Sequence, residues 1–170
     1  ISSITANSAI SGGNVTSDGG GTVTVRGVVW STKTEPTVAF SSKTTDGGGP
    51  GSFTSSINSL IPGQLYYVRA YATNSAGTAY GAELTLTADG LLPTMSTTSI
   101  SLLTPTSLST GGNISYDGGS SITARGVVWG IASAPTVLLS TKTTDGTGTG
   151  TFVSSLTNLT PSTTYYLRSY

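Results

Sequence analysis

The order of apolar and polar residues predicts an all-β protein. Residues 65–74, LYYVRAYATN, show this most clearly, because small or apolar side chains alternate with larger polar ones. A period of two is what a strand with one face on a core requires. No long stretch keeps the period of 3.6 that marks a helix, and Gly or Pro interrupts every window. We predict strands in the first part of the chain at 1–6, 8–16, 22–31, 37–44, 51–57, 65–74 and 78–87.

Turn-forming residues separate these runs at intervals of about 8–12 residues, as in all-β proteins. Examples are Asp18-Gly19-Gly20, Asp46-Gly47-Gly48 and Asn74-Ser75-Ala76-Gly77. Asp-Gly and Gly-Gly pairs supply the positive φ angles that tight hairpins need. Seven short strands joined in this way predict a two-sheet sandwich of the immunoglobulin or fibronectin type III kind.

The same pattern occurs twice in the chain, 99 residues apart. Trp30 returns as Trp129, and laying residues 1–71 over 100–170 gives identity at 36 of 71 positions without a gap. A fixed period of this size indicates tandem copies of one domain. We therefore predict a first sandwich at 1–88, a short linker at 89–92 and a second sandwich at 93–170.

The two copies differ in which terminal strands they contain. The first continues past Tyr71 into ATNSAGTAYGAELTLTA, whereas the second stops at Tyr170. We expect the second sandwich to lack its last strand and the first to lack the lead-in corresponding to Leu92–Ser99. Either a longer polypeptide supplies the last strand or a neighbouring subunit donates one. Continuation is favoured, because the second copy follows the first right up to the break.

Composition and charge exclude several functions. Charged residues make up 8% of the chain and the net charge is zero, so there is no basic face for nucleic acid. Cysteine is absent, which removes disulfides and thiolate metal sites. Histidine is also absent, and with it the commonest general base and metal ligand. No apolar run approaches the length of a membrane span, so we expect no membrane insertion by this segment.

The acidic residues do not form a candidate active site. Four of the five Asp residues precede Gly in predicted turns, where Asp accepts local backbone hydrogen bonds: Asp18, Asp46, Asp117 and Asp145. Calcium binding is the less favoured alternative, since it needs six to eight oxygen ligands and no loop is that rich in Asp. We predict no catalytic residue, no cofactor and no metal, and hence no enzyme.

Two stretches of sequence resemble a known family. GGNVTSDGGGTVTVRGVVWS and KTTDGGGPGSFTSSINSLIPGQLYYVRAYATNSAGTAYG are similar to the fibronectin type III-like tandem repeats of secreted and cell-surface proteins of Bacteroidota. Leu60-x-Pro62 followed by Tyr66, and Leu159-x-Pro161 followed by Tyr165, resemble the tyrosine corner of such domains. The resemblance implies an extracellular or cell-surface location.

A set of Arg and aromatic residues is the candidate binding face. Alternation along 65–74 turns Tyr66 and Val68 toward the core and Tyr67, Arg69 and Tyr71 outward. Arg26 and Trp30 are expected to join the outward set from the neighbouring strand, unless Gly27 marks a bulge. The full face is Arg26, Trp30, Tyr67, Arg69 and Tyr71, repeated as Arg125, Trp129, Tyr166, Arg168 and Tyr170. A self-supporting ladder of Arg on aromatic rings is favoured over a surface that binds sugar or protein.

These observations favour a structural segment of a long surface protein, such as a fibre, stalk or adhesin. The expected partners are neighbouring repeats or subunits of the same protein. The alternatives are a spacer or binding module of a secreted enzyme that contacts polysaccharide or protein, and a segment of a phage or virion fibre. The fold does not separate them.

Overall fold

The computed structural model describes residues 1–39 and 42–170. The chain divides into two compact units, Ile1–Leu91 (unit 1) and Leu92–Tyr170 (unit 2). All regular structure among the described residues is β, which confirms the predicted fold class. None of these residues lies in a helix long and apolar enough to cross a membrane.

Unit 1 consists of two antiparallel sheets. One pairs β1 (Ser8–Val15) with β3 (Gly51–Asn58). In the other, β2 (Val25–Ser31) pairs with β4 (Leu65–Asn74). The opposite edge of β4 pairs with β5 (Gly77–Tyr80) and β6 (Leu84–Thr87).

The core of unit 1 lies between these sheets. Val28 and Val68 come from one sheet and Ile57 from the other, and all three are almost completely buried. Leu86 and Ala88 close the same cluster from β6 and the residue that follows it. The alternation of the strands explains this arrangement, because every second side chain points between the sheets.

Unit 2 repeats this architecture with a different set of edge strands. β8 (Leu108–Tyr116) pairs with β10 (Gly150–Leu156), and β7 (Thr94–Thr97) covers the other edge of β8. The second sheet pairs β9 (Val127–Gly130) with β11 (Tyr166–Ser169). Its core contains the buried side chains of Leu108, Ile114, Val127, Phe152, Leu156 and Leu159.

The prediction of a strand at 1–6 is wrong. Ser2 forms only an isolated bridge to Ile10, repeated as Ser101 to Ser109 in unit 2. Two local features end the pairing: Ser3 has a φ of 49°, and Thr5 closes a tight turn by exchanging hydrogen bonds with Ser8. A left-handed residue takes the chain out of the extended conformation.

Two other predicted strands differ from the structure. The stretch 78–87 is two strands, because Gly81, Ala82 and Glu83 lie opposite only two residues of β4 and form a bulge. Of the predicted strand 37–44, Phe40 and Ser41 lie outside the described residues. Its end forms a bridge between Lys43 and Val29, with a counterpart between Lys142 and Val128.

Candidate binding face

Trp30 and Arg26 lie on the inner side of their sheet, so their prediction as outward residues is wrong. Trp30 pairs with Val68 and Arg26 with Ala72, without a register shift between them. They share a face, as expected, but it is the face of Val68. Trp30 is 9% exposed and belongs to the core cluster.

Gly27 is required for a reason other than a bulge. A Cβ at this position would collide with the carbonyl oxygen of Thr44, which passes close to the strand. Gly126 meets the carbonyl oxygen of Thr143 in the same way in unit 2. The glycine therefore lets a neighbouring backbone segment approach β2, while the strand itself continues in register.

Arg26 holds a loop of its own unit. Its Nη1 donates to the carbonyl oxygens of Gly49 (3.1 Å), Pro50 (2.9 Å) and Gly51 (3.1 Å). Its guanidinium carbon lies 5.3 Å from the centroid of the Phe53 ring. Gly49 and Gly51 have φ angles of 77° and 99°, which turn these carbonyls toward the arginine.

Arg125 repeats this arrangement in unit 2. Its Nη1 donates to the carbonyl oxygens of Gly148 (3.1 Å) and Thr149 (2.9 Å), and its guanidinium carbon lies 5.3 Å from the Phe152 ring centroid. Both arginines therefore serve as internal loop anchors, half-buried at the rim of the core.

On the outer side of unit 1, Tyr71 is buried rather than exposed. It is 4% exposed, and its hydroxyl donates to the carbonyl oxygen of Thr44 at 2.6 Å. Val29, which also points outward from its sheet, is fully buried, and so is Pro36 in the segment after β2. The segment that contains Pro36 and Val38 lies over this face, since the N–H of Val38 donates to the Tyr80 hydroxyl at 2.9 Å.

Arg69 and Tyr67 are half-buried on the same outer side. The guanidinium carbon of Arg69 lies 4.6 Å from the centroid of the Tyr80 ring, and its Nε donates to the carbonyl oxygen of Gly81 at 3.1 Å. The sequence reasoning missed Tyr80. Its signal is the alternation of Thr78 and Tyr80, which places the tyrosine beside Tyr71 once β5 pairs with β4.

The matching residues of unit 2 are more exposed. Tyr166 is 45% exposed, and Arg168 is exposed at the next outward position of β11. Tyr170 is half-buried, and its hydroxyl donates to the carbonyl oxygen of Thr143, as Tyr71 does to Thr44. Trp129 is half-buried against the core of unit 2. The ten predicted residues therefore do not form one surface in either unit.

A polar network inside each unit was not predicted. The Asp46 carboxylate accepts hydrogen bonds from the hydroxyls of Thr44 (2.6 Å) and Ser55 (2.5 Å), and Ser55 is 1% exposed. Thr143, Asp145 and Ser154 repeat it in unit 2. A buried hydroxyl needs a partner, which explains why the sequence keeps these residues in both copies. The sequence feature that could have indicated this network is that Ser55 is identical to its counterpart Ser154.

Asp18 and Asp117 accept local backbone hydrogen bonds, as predicted for aspartates in turns. Asp18 accepts the N–H of Gly20 at 3.0 Å, and Asp117 accepts the N–H of Gly119 at 2.9 Å. The part of the chain that the structure describes holds no group of three or more acidic residues that could bind a metal ion.

Both tyrosine corners are confirmed. The Tyr66 hydroxyl accepts the N–H of Ile61 at 3.0 Å, and the Tyr165 hydroxyl accepts the N–H of Thr160 at 3.1 Å. The hydrogen bond from Thr160 lowers the pKa of Tyr165 below its usual value. A donor aimed at the oxygen favours the phenolate over the phenol.

Unit 2 contains an apolar groove of about 450 Å³. Its lining includes Trp129, Ile131, Pro135 and Leu139, and Ile131 is 74% exposed. In the sequence of unit 1 Trp129 and Pro135 correspond to Trp30 and Pro36, whereas Ile131 corresponds to Thr32. Exposed apolar side chains around a groove are typical of a contact surface.

Comparison with solved structures gives a likeness of fold. No family model matches the chain, and no curated protein is similar to it in sequence. The structure is similar to the crystal structure of the FN1-FN3 domains of chicken CNTN1, at 16% identity and a TM-score of 0.36. The match covers 85% of this chain and 47% of that one, so this chain spans about half of that structure. Since the TM-score is below 0.5, the sandwich assignment rests on the strand pairing of each unit.

Proposed function

We propose that the chain is a non-enzymatic structural segment of a long extracellular surface protein, such as a fibre, stalk or adhesin. In this proposal residues 1–88 and 93–170 are two sandwich repeats, and residues 89–92 join them. Each repeat adds length, and neighbouring repeats or subunits of the same protein are the partners.

The observation that carries the proposal is where the recurring polar residues point. Arg26 and Arg125 hold loops of their own units, and the tyrosine corners close on their own backbones. The Thr-Asp-Ser network is also internal to each unit. Residues that recur in order to bind a ligand would converge on a surface, whereas these maintain the fold.

Labelling of intact cells tests this function. Antibodies raised against the chain should bind cells of the source organism without permeabilisation. The denatured native protein should be far heavier than 17.0 kDa and should contain further copies of the repeat. Labelling only after lysis, or a parent protein in which the two repeats adjoin a catalytic domain, would contradict the proposal.

One observation favours a second function, the binding of a surface polysaccharide or protein. It is the apolar groove beside Trp129 in unit 2, whose rim carries the exposed Ile131 where the sequence of unit 1 has Thr32. Aromatic and aliphatic side chains in a groove provide stacking and burial for such ligands.

A matched pair of variants tests this second function. Ile131→Asp places a charge in the groove, and Val153→Asp places one at a similarly exposed position of β10, with exposures of 74% and 72%. If the groove binds, the first change abolishes binding to cell-wall polysaccharide in a pull-down and the second leaves it intact. Equal binding by both variants would exclude the groove.

A further inference from the structure

Every aspartate of the chain is followed by a glycine. The five pairs begin at Asp18, Asp46, Asp89, Asp117 and Asp145. Glycine has no Cβ, so the backbone nitrogen that follows each of these aspartates is as unhindered as a peptide nitrogen can be. Such a nitrogen can attack the carboxyl carbon of the aspartate before it. The five pairs have the same sequence but differ in what holds each carboxylate in the structure.

Asp46 and its counterpart Asp145 are held most firmly. The carboxylate of Asp46 accepts hydrogen bonds from the hydroxyls of Thr44 and Ser55, and its backbone N–H donates to the carbonyl oxygen of Arg26 at 2.8 Å. The same set of contacts surrounds Asp145 in unit 2. Conversion of the carboxylate to a neutral cyclic imide would remove its charge and weaken both hydroxyl contacts, so these contacts oppose the reaction.

Asp18 and Asp117 are each held by one hydrogen bond. The donor is the N–H of the second residue after the aspartate, at 3.0 Å for Asp18 and 2.9 Å for Asp117. The glycine between has a φ of 67° at Gly19 and 77° at Gly118, which is the left-handed conformation that the turn requires. The turn therefore restrains both the carboxylate and the nitrogen that would attack it.

Asp89, near the end of unit 1, lacks both restraints. Its backbone N–H donates to the carbonyl oxygen of Thr5 at 3.1 Å, and its own carbonyl oxygen accepts the N–H of Gly63 at 3.3 Å. No group among the described residues donates to its carboxylate. Asp89 and Gly90 are both exposed, and Gly90 does not have the positive φ of the glycine in each of the other four pairs.

We propose that Asp89–Gly90 is a modification site at which the folded chain converts aspartate to isoaspartate. The chemical group that is modified is the peptide bond between these two residues, and the reaction needs only water. The inference goes beyond the proposed function, because it requires no partner and does not depend on where the protein is located.

The reaction balances in two steps. The Gly90 nitrogen forms a bond to the side-chain carboxyl carbon of Asp89, and one water leaves with a carboxyl oxygen, the amide hydrogen and a proton. The product is a cyclic imide. Water then adds to one of its two carbonyl carbons and breaks the bond from that carbon to nitrogen. Addition at the side-chain carbon restores aspartate, whereas addition at the backbone carbon leaves the chain connected through the side chain.

The product should keep the fold of unit 1. The contacts to Thr5 and Gly63 are made by the N–H and the carbonyl oxygen of Asp89, which stay on the same side of the rearranged bond. The core residues Leu86 and Ala88 also precede it. The chain beyond Asp89 becomes longer by one methylene group, and the backbone carbonyl of Asp89 becomes a free carboxylate.

Incubation in water enriched in heavy oxygen tests the site on the complete 170-residue chain. Each passage through the imide introduces one heavy oxygen at the aspartate concerned, and tandem mass spectrometry of a digest locates it. In the folded protein Asp89 should be labelled about tenfold faster than Asp46 and Asp145, which lose charge-assisted hydrogen bonds on reaction. Asp18 and Asp117 should lie between. In concentrated urea, where these contacts are absent, the five rates should become similar.

Two variants assign the rates to the named contacts. Gly90→Ala should abolish most of the labelling at Asp89, because a Cβ hinders the attacking nitrogen, and the absence of a positive φ at Gly90 means that the variant should fold. Ser55→Ala should raise the labelling of Asp46 several-fold while Asp145 in the same chain stays unchanged, since it removes one of the two hydroxyl donors.

Three results would each overturn the proposal. They are labelling of Asp46 or Asp145 as fast as that of Asp89 in the folded chain, the same order of rates in urea, and unchanged labelling of Asp89 in Gly90→Ala. Cell-surface labelling by antibodies does not depend on these rates, so the proposed function and this inference can fail separately.

Discussion

The two units have nearly the same internal contacts but differ in how far those contacts are exposed to solvent. The tyrosine corner forms in both, with hydroxyl–nitrogen distances of 3.0 Å in unit 1 and 3.1 Å in unit 2. Tyr66 is nevertheless buried at 7% exposure, whereas Tyr165 is half-buried. The difference coincides with β6, which is paired with β4 and has no counterpart among the described residues of unit 2. Local sequence therefore sets the hydrogen bond, and a strand distant in sequence sets its environment.

The largest expected effect comes from removing the side chain that shields the first corner. Leu86→Ala should destabilise unit 1 by about 2–5 kcal/mol, because it leaves a cavity in the core beside Tyr66. Unit 2 should keep its stability. Each unit contains one tryptophan, so urea unfolding followed by NMR of the two indole N–H signals separates them. An equal loss of stability in both units would contradict the view that Leu86 stabilises unit 1 alone.

Replacement of the arginine that anchors the loop should lower the stability of each unit by a similar amount. Arg26→Met and Arg125→Met each take a charged donor from two or three carbonyl oxygens, at a cost of about 1–3 kcal/mol given their partial exposure. The same indole signals report the midpoints. Arg26→Lys is the control, and it should recover part of the loss, since an ammonium reaches fewer of the carbonyls. A neutral result in either unit would show that its arginine is not an anchor.

A smaller and unequal effect is expected at the tyrosine corners. Tyr66→Phe removes the buried acceptor of the Ile61 N–H and should cost about 1–2 kcal/mol. Tyr165→Phe should cost less, because water can reach the Thr160 N–H once the hydroxyl is gone. Denaturant melts of the two variants decide this, and a larger loss at Tyr165 would reverse the proposed effect of shielding.

The smallest effect is a dependence on pH that involves Tyr165. The Thr160 N–H holds the pKa of Tyr165 below its ordinary value of about 10. A lowered pKa in the folded state means that the stabilising contribution is present above the unfolded pKa and is lost as the pH falls through the folded pKa. Absorbance at the phenolate band should therefore contain a contribution from Tyr165 below the ordinary pKa of tyrosine, and Tyr165→Phe should remove that contribution. An unchanged titration curve would contradict the shift.

The alternation of apolar residues was sufficient to predict the sheets but not the face of every residue. Along β4 it placed Tyr66 and Val68 in the core, as observed. The prediction that Arg26 points outward was wrong, because a charged side chain on a strand is expected to face solvent. The carbonyls that accept its hydrogen bonds come from Gly49, Pro50 and Gly51, more than 20 residues later. A local pattern contains no information about such a partner.

Tyr71 shows a second limit of local patterns. Its parity was predicted correctly, since it lies on the side of the sheet opposite Val68. Its burial was not, because the segment containing Pro36 and Val38 lies over that side. Whether an outward strand residue meets water depends on which loop lies across the sheet, and the sequence of the strand does not encode that loop.

The internal closure of each unit also has a consequence for the gene. The loop anchors, the tyrosine corners and the polar networks each join residues of a single unit. Duplication or deletion of a whole copy would therefore leave these contacts intact and require no compensating substitution. Recombination between the two copies, which are identical at 36 of 71 aligned positions, would preserve these contacts whenever the crossover falls at equivalent codons. The number of copies is therefore expected to vary among related proteins more readily than the residues that form these contacts.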